Sequence, residues 1–330
     1  MDPLLSRVLQ QPDDDELRQV WADTLIERGD PRGELIVLQH AATERSLSRR
    51  EAQRVRALVA QHHRAWLGEL ANVIQHREGL VFDRGVLDEC QVQIKRLEDL
   101  HAAVGHPLWA TLRRIWFADH FAWDRRIVPL LAHPVFARLR DVLCVGMHNV
   151  FGPLATQERS LPFAAIWTMD DGWRGRYGPL GEGHASDAPA LPALRRLGFT
   201  LHREGGWILE LPVVRRLEKL GLTVLEPAAF WLERARPLSD LTTIELRPFW
   251  IPLQGAGRPH WVLRFTRGAD GRFSRLALQN AGRCGLHMLS RDLDTVEPDA
   301  VERIEATSDD PEVLAYLKSR FGKHATLDVG

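Results

Sequence analysis

A spaced pattern of apolar residues, repeated along most of the chain, constrains the fold more than any other feature of this sequence. Residues 106–117 (HPLWATLRRIWF) and 133–144 (HPVFARLRDVLC) align without gaps. Each ends with apolar residues at the first, fourth and sixth positions of a template LxxLxL, which recurs at steps of roughly 20–30 residues. The matching triplets are Leu87/Cys90/Val92, Leu112/Ile115/Phe117, Leu139/Val142/Cys144, Phe163/Ile166/Thr168, Leu194/Leu197/Phe199, Leu217/Leu220/Leu222, Leu241/Ile244/Leu246, Phe273/Leu276/Leu278 and Val301/Ile304/Ala306. Units this short cannot bury an apolar face alone, so neighbouring units must stack on a continuous core.

This spacing is typical of leucine-rich repeats, in which each unit adds one short strand to a parallel sheet. It predicts an α/β fold over residues 76–330: an irregular leucine-rich-repeat solenoid with one parallel β-sheet. Positions one, four and six of each template face the core, and helical returns such as residues 96–104 and 230–235 connect the strands. The asparagine or cysteine that usually follows the last leucine is absent, which is why an irregular solenoid is expected.

Three further segments depart from the repeat. Residues 172–189 (GWRGRYGPLGEGHASDAP) are rich in glycine and predict a loop. Residues 261–278 alternate apolar and polar side chains on both sides of a Gly-Ala-Asp-Gly turn, which predicts a β-hairpin. Residues 311–321 predict a helix that caps the exposed end of the core, as a solenoid requires.

Residues 1–75 precede the repeats and predict a separate helical domain. One apolar stripe of a helix, which Gly29 ends, is formed by Leu17, Val20, Trp21, Leu25 and Ile26. The Asp30-Pro31 pair then starts the next helix, since aspartate is a favoured N-cap and proline fits the first helical position. The predicted organisation is therefore a helical domain over 1–75 followed by the solenoid over 76–330.

Residues 17–39 (LRQVWADTLIERGDPRGELIVLQ) resemble the repeat-companion domain of planctomycetes and myxobacteria. The agreeing residues are Trp21, Ala22, Asp23, Leu25, Glu27, Arg28, Gly29, Asp30, Pro31, Arg32, Gly33, Glu34 and Gln39. Residues 82–86 (FDRGV), followed by Glu89, resemble a turn and strand that this family places before its repeats. The resemblance implies a bacterial protein with repeats downstream, frequently leucine-rich ones, and it implies no particular activity.

The net charge, the cysteine pattern and the lengths of the apolar runs indicate which partners and which compartment to expect. The formal net charge is −1, which argues against a dedicated nucleic-acid binder, because the phosphate backbone demands a clear basic excess. Three cysteines occur singly, without a CxxC pair, which is typical of a reducing compartment. The first residues do not have the pattern of a signal peptide, and no apolar run is long enough to span a bilayer. We therefore expect a cytoplasmic protein that makes no membrane contact.

The sequence has no phosphate loop, HExxH or GxSxG motif, so we predict a non-enzymatic protein with no cofactor and no metal. His106 and His133 both precede proline in equivalent repeats, which predicts a capping or turn contact. Cys90 and Cys144 fall on inward template positions and predict small apolar filler. His184 lies in the glycine-rich loop without an identifiable catalytic partner. Cys284 lies in a turn near Arg283 and His287, and it is not predicted to be a nucleophile.

The binding surface is predicted from template positions three and five, which project from the concave face of such a sheet. These positions place Trp116, Leu143 and Trp167 on neighbouring strands, with Arg114 and Arg196 beside them. Tryptophan with arginine is typical of protein-binding hot spots, so we predict another protein as the partner. Two alternatives stay open. In the first, the 172–189 loop or a side chain of the helical layer covers these residues. In the second, the function differs, and the chain binds nucleic acid or acts as an accessory subunit of an enzyme complex through that loop.

The Asp30 cap supplies the first testable prediction. Asp30→Ala removes the side-chain acceptor at the start of a helix and should lower the free energy of unfolding by roughly 0.5–2 kcal/mol. Chemical denaturation measures the loss. An unchanged stability would contradict the capping role, and lost partner binding at unchanged stability would assign the segment to binding instead.

Overall fold

The computed structural model describes residues 2–75, 79–117, 124–169, 187–200, 206–224, 226–248, 261–280, 286–308 and 310–329. It is a mixed α/β structure that divides into two compact units. The first unit comprises residues 1–145, 157–163 and 190–192, and the second comprises residues 146–156, 164–189 and 193–330. The division does not follow the predicted boundary at residue 75.

The first unit begins with the predicted helical region. Its helices are α1 (Pro3–Gln10), α2 (Asp15–Glu27), α3 (Pro31–Glu44), α4 (Arg49–Leu67), α5 (Leu97–Ala103) and α6 (Val128–Leu131). The Asp30 side chain accepts a hydrogen bond from the Arg32 N–H at 2.9 Å and caps α3, as predicted. Ser48 and Glu51 form a capping box at the start of α4. Glu34 of α3 and Arg54 of α4 form an ion pair that joins these two helices.

The strands of the first unit are β1 (Ile74–Gln75), β2 (Val81–Asp83), β3 (Val86–Val92), β4 (Arg114–Phe117) and β5 (Asp141–Gly146). Strands β3, β4 and β5 run parallel, and Glu89, Arg114 and Asp141 face one another in register. Strands β1 and β2 pair antiparallel with β3. One strand per template is therefore present here, preceded by two short antiparallel strands that the repeat does not predict.

The second unit contains the longer series of strands. Its elements are α7 (Gly152–Ala155), β6 (Ala165–Met169), β7 (Arg196–Thr200), β8 (Lys219–Val224), α8 (Ala228–Ala235), β9 (Thr243–Pro248), β10 (Trp261–Arg267), β11 (Phe273–Asn280), α9 (Leu286–Leu293), β12 (Arg303–Ser308), α10 (Pro311–Phe321) and β13 (Ala325–Val329). Strands β6 to β9 run parallel, as do β11 to β13. Strand β10 runs antiparallel to both β9 and β11. The predicted hairpin is present, and residues 311–321 form a helix as predicted, but this helix connects β12 to β13, which pairs with β12, so it does not form the predicted cap.

The prediction of one wholly parallel sheet was wrong at β10. This strand belongs to the hairpin rather than to a repeat, so it enters between β9 and β11 with the opposite direction. Strand β13 was not predicted, because residues 325–329 do not match the template.

The inward template positions form the core. Every residue of the nine triplets is buried except Cys144. Cys144 has a positive φ of 62° and is half-buried, while the next residue, Val145, is fully buried. The prediction that Cys144 faces inward was therefore wrong, because a left-handed residue shifts the end of β5 by one position. Cys90 is buried, as predicted.

A backbone pattern recurs at the start of four strands, β5, β7, β8 and β9. Two consecutive N–H groups of one strand start donate to a single carbonyl of the preceding strand start. The donor pairs and acceptors are Arg140 and Asp141 to Arg113, Arg195 and Arg196 to Ala164, Glu218 and Lys219 to Arg195, and Thr242 and Thr243 to Glu218. In another recurring turn, the first template residue donates to the carbonyl three residues earlier, as at Leu112, Leu139, Leu217, Leu241 and Val301. The repeated sequence thus carries repeated backbone hydrogen bonds.

Residues 31–39 and the turn at residues 82–85 meet in the first unit. Arg32 Nε donates to the Gly85 carbonyl at 2.9 Å, and Gln39 Oε1 accepts from the Gly85 N–H at 3.0 Å. Gln39 Nε2 also donates to the Phe82 carbonyl. Gly85 has a φ of +79°, and a Cβ there would overlap Ile36 of α3, so glycine is required. We call these contacts of Arg32 and Gln39 with the 82–85 turn the turn clamp.

The turn clamp explains why the compact units do not divide at residue 75. It binds α3 to the hairpin of β2 and β3, so the helices and the first strands share one core. Arg32 is buried, with its guanidinium 5.2 Å from the Trp21 ring centroid and 5.6 Å from that of Trp66. Burial lowers the pKa of Arg32 to about 10, which still leaves it charged at neutral pH.

The turn clamp predicts a stability effect at Gln39. Gln39→Ala leaves the Phe82 carbonyl and the Gly85 N–H without their partner and should lower the free energy of unfolding by about 1–3 kcal/mol. Urea denaturation measures it. Val37→Ala, on an exposed position of the same helix, is the control and should change stability by no more than about 0.5 kcal/mol. Equal effects of the two substitutions would contradict the clamp.

Candidate interaction face of the second unit

The structure places the predicted binding residues at template positions three and five, but in both units. Arg114, Trp116 and Leu143 belong to the first unit, and Trp167 and Arg196 to the second. The three apolar residues are half-buried, and Arg196 is exposed. Trp116 and Leu143 are in register on adjacent strands. The predicted binding residues are therefore divided between the two units.

The first-unit part is satisfied by contacts within that unit. The Trp116 ring lies directly against the backbone of Gly79, where a Cβ would overlap the indole. Arg114 donates to Glu89 at 3.0 Å and to Asp141 at 3.2 Å, so opposite charges alternate across β3, β4 and β5. Opposite charges facing one another across strands stabilise a sheet. These contacts give Trp116 and Arg114 structural roles that the sequence did not predict.

The second-unit part is built on two glycines. A Cβ at Gly198 or at Gly221 would overlap the Trp167 ring, so the indole lies across both residues. The two glycines are in register at position five of β7 and β8, and both are buried. Arg247 of β9 places its guanidinium 4.4 Å from the centroid of the Trp167 ring. We call Trp167, Gly198, Gly221 and Arg247 the tryptophan platform.

A charged cluster lies beside the tryptophan platform. The side chain of Glu245 is only 5% exposed and accepts from Lys219 Nζ at 2.6 Å and from Arg264 Nε at 2.8 Å. Arg247 Nη2 lies 3.9 Å from the same carboxylate. We call these four residues the Glu245 cluster. Three cations surround one anion there, so the cluster carries a net positive charge.

Burial by itself raises the pKa of Glu245, because a low-dielectric surrounding disfavours the charged carboxylate. The hydrogen bonds from Lys219 and Arg264 and their positive charges outweigh this effect and hold the pKa of Glu245 below its ordinary value. The carboxylate is therefore ionised at neutral pH and fixes the two cations on the face of the sheet.

Sequence reasoning missed most of this site. Glu245 and Gly221 also occupy template position five, but neither carries the large apolar side chain by which the sequence marks a binding residue. The role of the glycines depends on the size of Trp167, which spans two strands beyond its own. Arg264 lies on β10, the antiparallel strand, so the repeat template could not place it beside Glu245.

The other chemical candidates have structural roles where the structure describes them. His106 Nδ1 accepts from the Leu108 N–H at 3.3 Å, and His133 Nδ1 from the Val135 N–H at 3.1 Å, which confirms the predicted caps. Burial raises the pKa of the Cys90 thiol. His184, Cys284 and most of the 172–189 loop lie outside the described residues.

Within the described ranges, no group of three or more His, Cys, Asp or Glu residues is placed to hold a metal ion. In that same part of the chain, no helix has the length and apolar character needed to cross a membrane. No protein-family model, curated protein or solved structure matches this chain.

The Glu245 cluster predicts a pH-dependent contribution to stability. A carboxylate whose pKa is lowered by folding stabilises the folded state above its ordinary pKa, and this contribution is lost as the pH falls through the folded value. Glu245→Gln should therefore lower the free energy of unfolding by roughly 1–3 kcal/mol at neutral pH. Denaturation across a pH series should show the difference from wild type shrinking below the ordinary value of 4.5.

Glu305→Gln is the matched control, because it changes an exposed carboxylate on the same face. It should alter stability by less than about 0.5 kcal/mol. A pH-independent loss in Glu245→Gln would contradict an ionised role for Glu245.

Proposed function

We propose that this chain is a protein-interaction module whose partner lies across the exposed strand face of the second unit. In this proposal, a helical segment of the repeat-companion type leads into an irregular leucine-rich-repeat solenoid. The single observation that carries the proposal is the tryptophan platform, with Trp167 seated on two glycines and stacked with Arg247.

The tryptophan platform favours binding for an energetic reason. Glycine in the interior of a strand weakens it, by roughly 0.5–1 kcal/mol relative to alanine. Gly198 and Gly221 are neighbours on adjacent strands, so the sheet is weakened at two adjacent positions. The absence of side chains there lets the Trp167 indole lie flat on the sheet beside the Arg247 guanidinium. Tryptophan and arginine are among the side chains most enriched at binding hot spots.

The repeat and family parts of the proposal have separate support. Inward template residues are buried at regular steps, and the backbone bonds at strand starts recur with the same geometry. The resemblance to the repeat-companion domain gains support from the turn clamp, since Arg32 and Gln39 of one matching segment bind the backbone of the other. A role in an enzyme complex through the 172–189 loop stays an alternative prediction.

Site-specific photocrosslinking tests the proposed face. A benzophenone amino acid replaces Thr223, which is in register with Arg247, and in a second variant replaces exposed Gln279 of β11. The control position is exposed Arg56 of α4. In lysate of the native cells, both face positions should crosslink one and the same protein, and the control position should not.

A second step ties that crosslink to the tryptophan platform. Trp167→Ala should abolish the crosslink from both face positions, with the melting temperature measured in parallel. Arg247→Gln leaves the indole on its glycines and should reduce the crosslink by itself. Equal crosslinking from Arg56, or crosslinks that survive both substitutions, would overturn the proposal.

A further inference from the structure

The second unit carries a row of like charges at template position three. In-register pairing places Arg196 of β7 beside Lys219 of β8, and Arg275 of β11 beside Arg303 of β12. The two intervening strands carry uncharged residues in the same row, Thr243 and Thr266. We call these six residues the cationic row.

We infer that the cationic row binds an acidic, extended segment of the partner protein. This inference rests on the proposed function and specifies the chemistry of its partner. Like charges directly opposite one another on adjacent strands destabilise a sheet. The cationic row contains two such pairs, whereas position three of the first unit alternates as Glu89, Arg114 and Asp141. Within this row the charges alternate in sign in the first unit, whereas in the second unit the row holds only cations and threonines, and the carboxylates that pair with Lys219, Arg275 and Arg303 lie at other positions.

Two of the carboxylates near the cationic row are easily exchanged for those of a partner, whereas buried Glu245 stays bonded to Lys219. Arg275 lies 3.8 Å from Glu302, and Arg303 lies 2.9 Å from Glu305. All four side chains are more than half exposed. Exposed ion pairs of this kind contribute only about 0.2–1 kcal/mol, so a partner carboxylate can replace either glutamate at little cost.

The shape of the face suits an extended chain. A cavity of about 520 Å³ lies over β10 to β12 and is lined by Thr266, Arg275, Glu302 and Arg303, among others. Strands lie about 4.8 Å apart, so Lys219 and Arg275, three strands apart, are separated by roughly 14 Å. An extended peptide covers that distance in about four residues. Two groups of acidic residues separated in this way match the two cationic pairs.

A peptide fits this face better than a nucleic acid does. Glu245, Glu302 and Glu305 lie among the cations and would repel an evenly charged phosphate backbone. The net charge of the chain, −1, provides no long-range attraction for a polyanion. A peptide can place its carboxylates beside the arginines and uncharged residues beside the glutamates.

Fluorescence anisotropy on the full chain tests the inference with defined probes. The probe is a labelled peptide of alternating glutamate and serine, about ten residues long, enough to span the roughly 24 Å from β7 to β12. A glutamine–serine peptide of equal length is the neutral control, and a single-stranded oligothymidine is the nucleic-acid control. We expect binding of the acidic peptide, at least about tenfold weaker binding of the neutral one, and weaker binding of the oligonucleotide as well.

Paired variants separate this row from general electrostatics. Arg275→Gln with Arg303→Gln should weaken acidic-peptide binding at least about tenfold and leave the melting temperature unchanged or higher, because it removes two opposed like charges. Arg50→Gln with Arg56→Gln on exposed positions of α4 makes the same change in net charge and should alter binding less than about twofold.

Equal weakening by both pairs, equal binding of the neutral peptide, or tighter binding of the oligonucleotide would overturn the inference. Crosslinking of a partner at Thr223 and Gln279 without acidic-peptide binding would retain the proposed function and reject this inference alone.

Discussion

The burial of template positions one, four and six between successive strands is the constraint on which the rest of this protein depends. A single unit offers three apolar side chains on one side of a short strand and has no means of covering them by itself. Stacking in register covers them and, because side chains alternate along a strand, forces positions three and five to the opposite face. The predicted binding residues and the tryptophan platform occupy that face as a consequence of the core.

The chemical character of the opposite face depends on which residues occupy the same row across adjacent strands. In the first unit, the row at position three alternates in sign, and Arg114 is shared between two carboxylates. In the second unit, the same position carries cations side by side, and position five carries glycines beneath a tryptophan. One backbone arrangement therefore yields a balanced surface in one unit and a charged, aromatic surface in the other.

The packing of the helical segment against the first strands likewise depends on one contact. Its Gly-Asp-Pro-Arg-Gly turn combines a cap at Asp30 with the buried guanidinium of Arg32, whose Nε donates to the Gly85 carbonyl. A buried arginine is tolerated because aromatic rings of Trp21 and Trp66 flank its charge. The backbone at residues 82–85 is thereby fixed just before β3, the strand that carries the first of the nine triplets.

The sequence by itself determined the helices of residues 1–75, the positions of the templated strands, the hairpin at 261–278 and the inward residues, since these depend on local spacing and caps. It also selected Trp167 and Arg196 as members of the exposed face. Only the tertiary structure decided that Trp116 rests on Gly79, that Cys144 shifts the end of β5, and that Trp167 lies over Gly198 and Gly221. The tertiary structure also decided that Arg264 lies beside Glu245, because the register of the antiparallel strand β10 is set by its hydrogen bonds with the strands on either side. Periodicity fixes which side of a strand a residue occupies, whereas the contacts across strands depend on register, side-chain size and strand direction together.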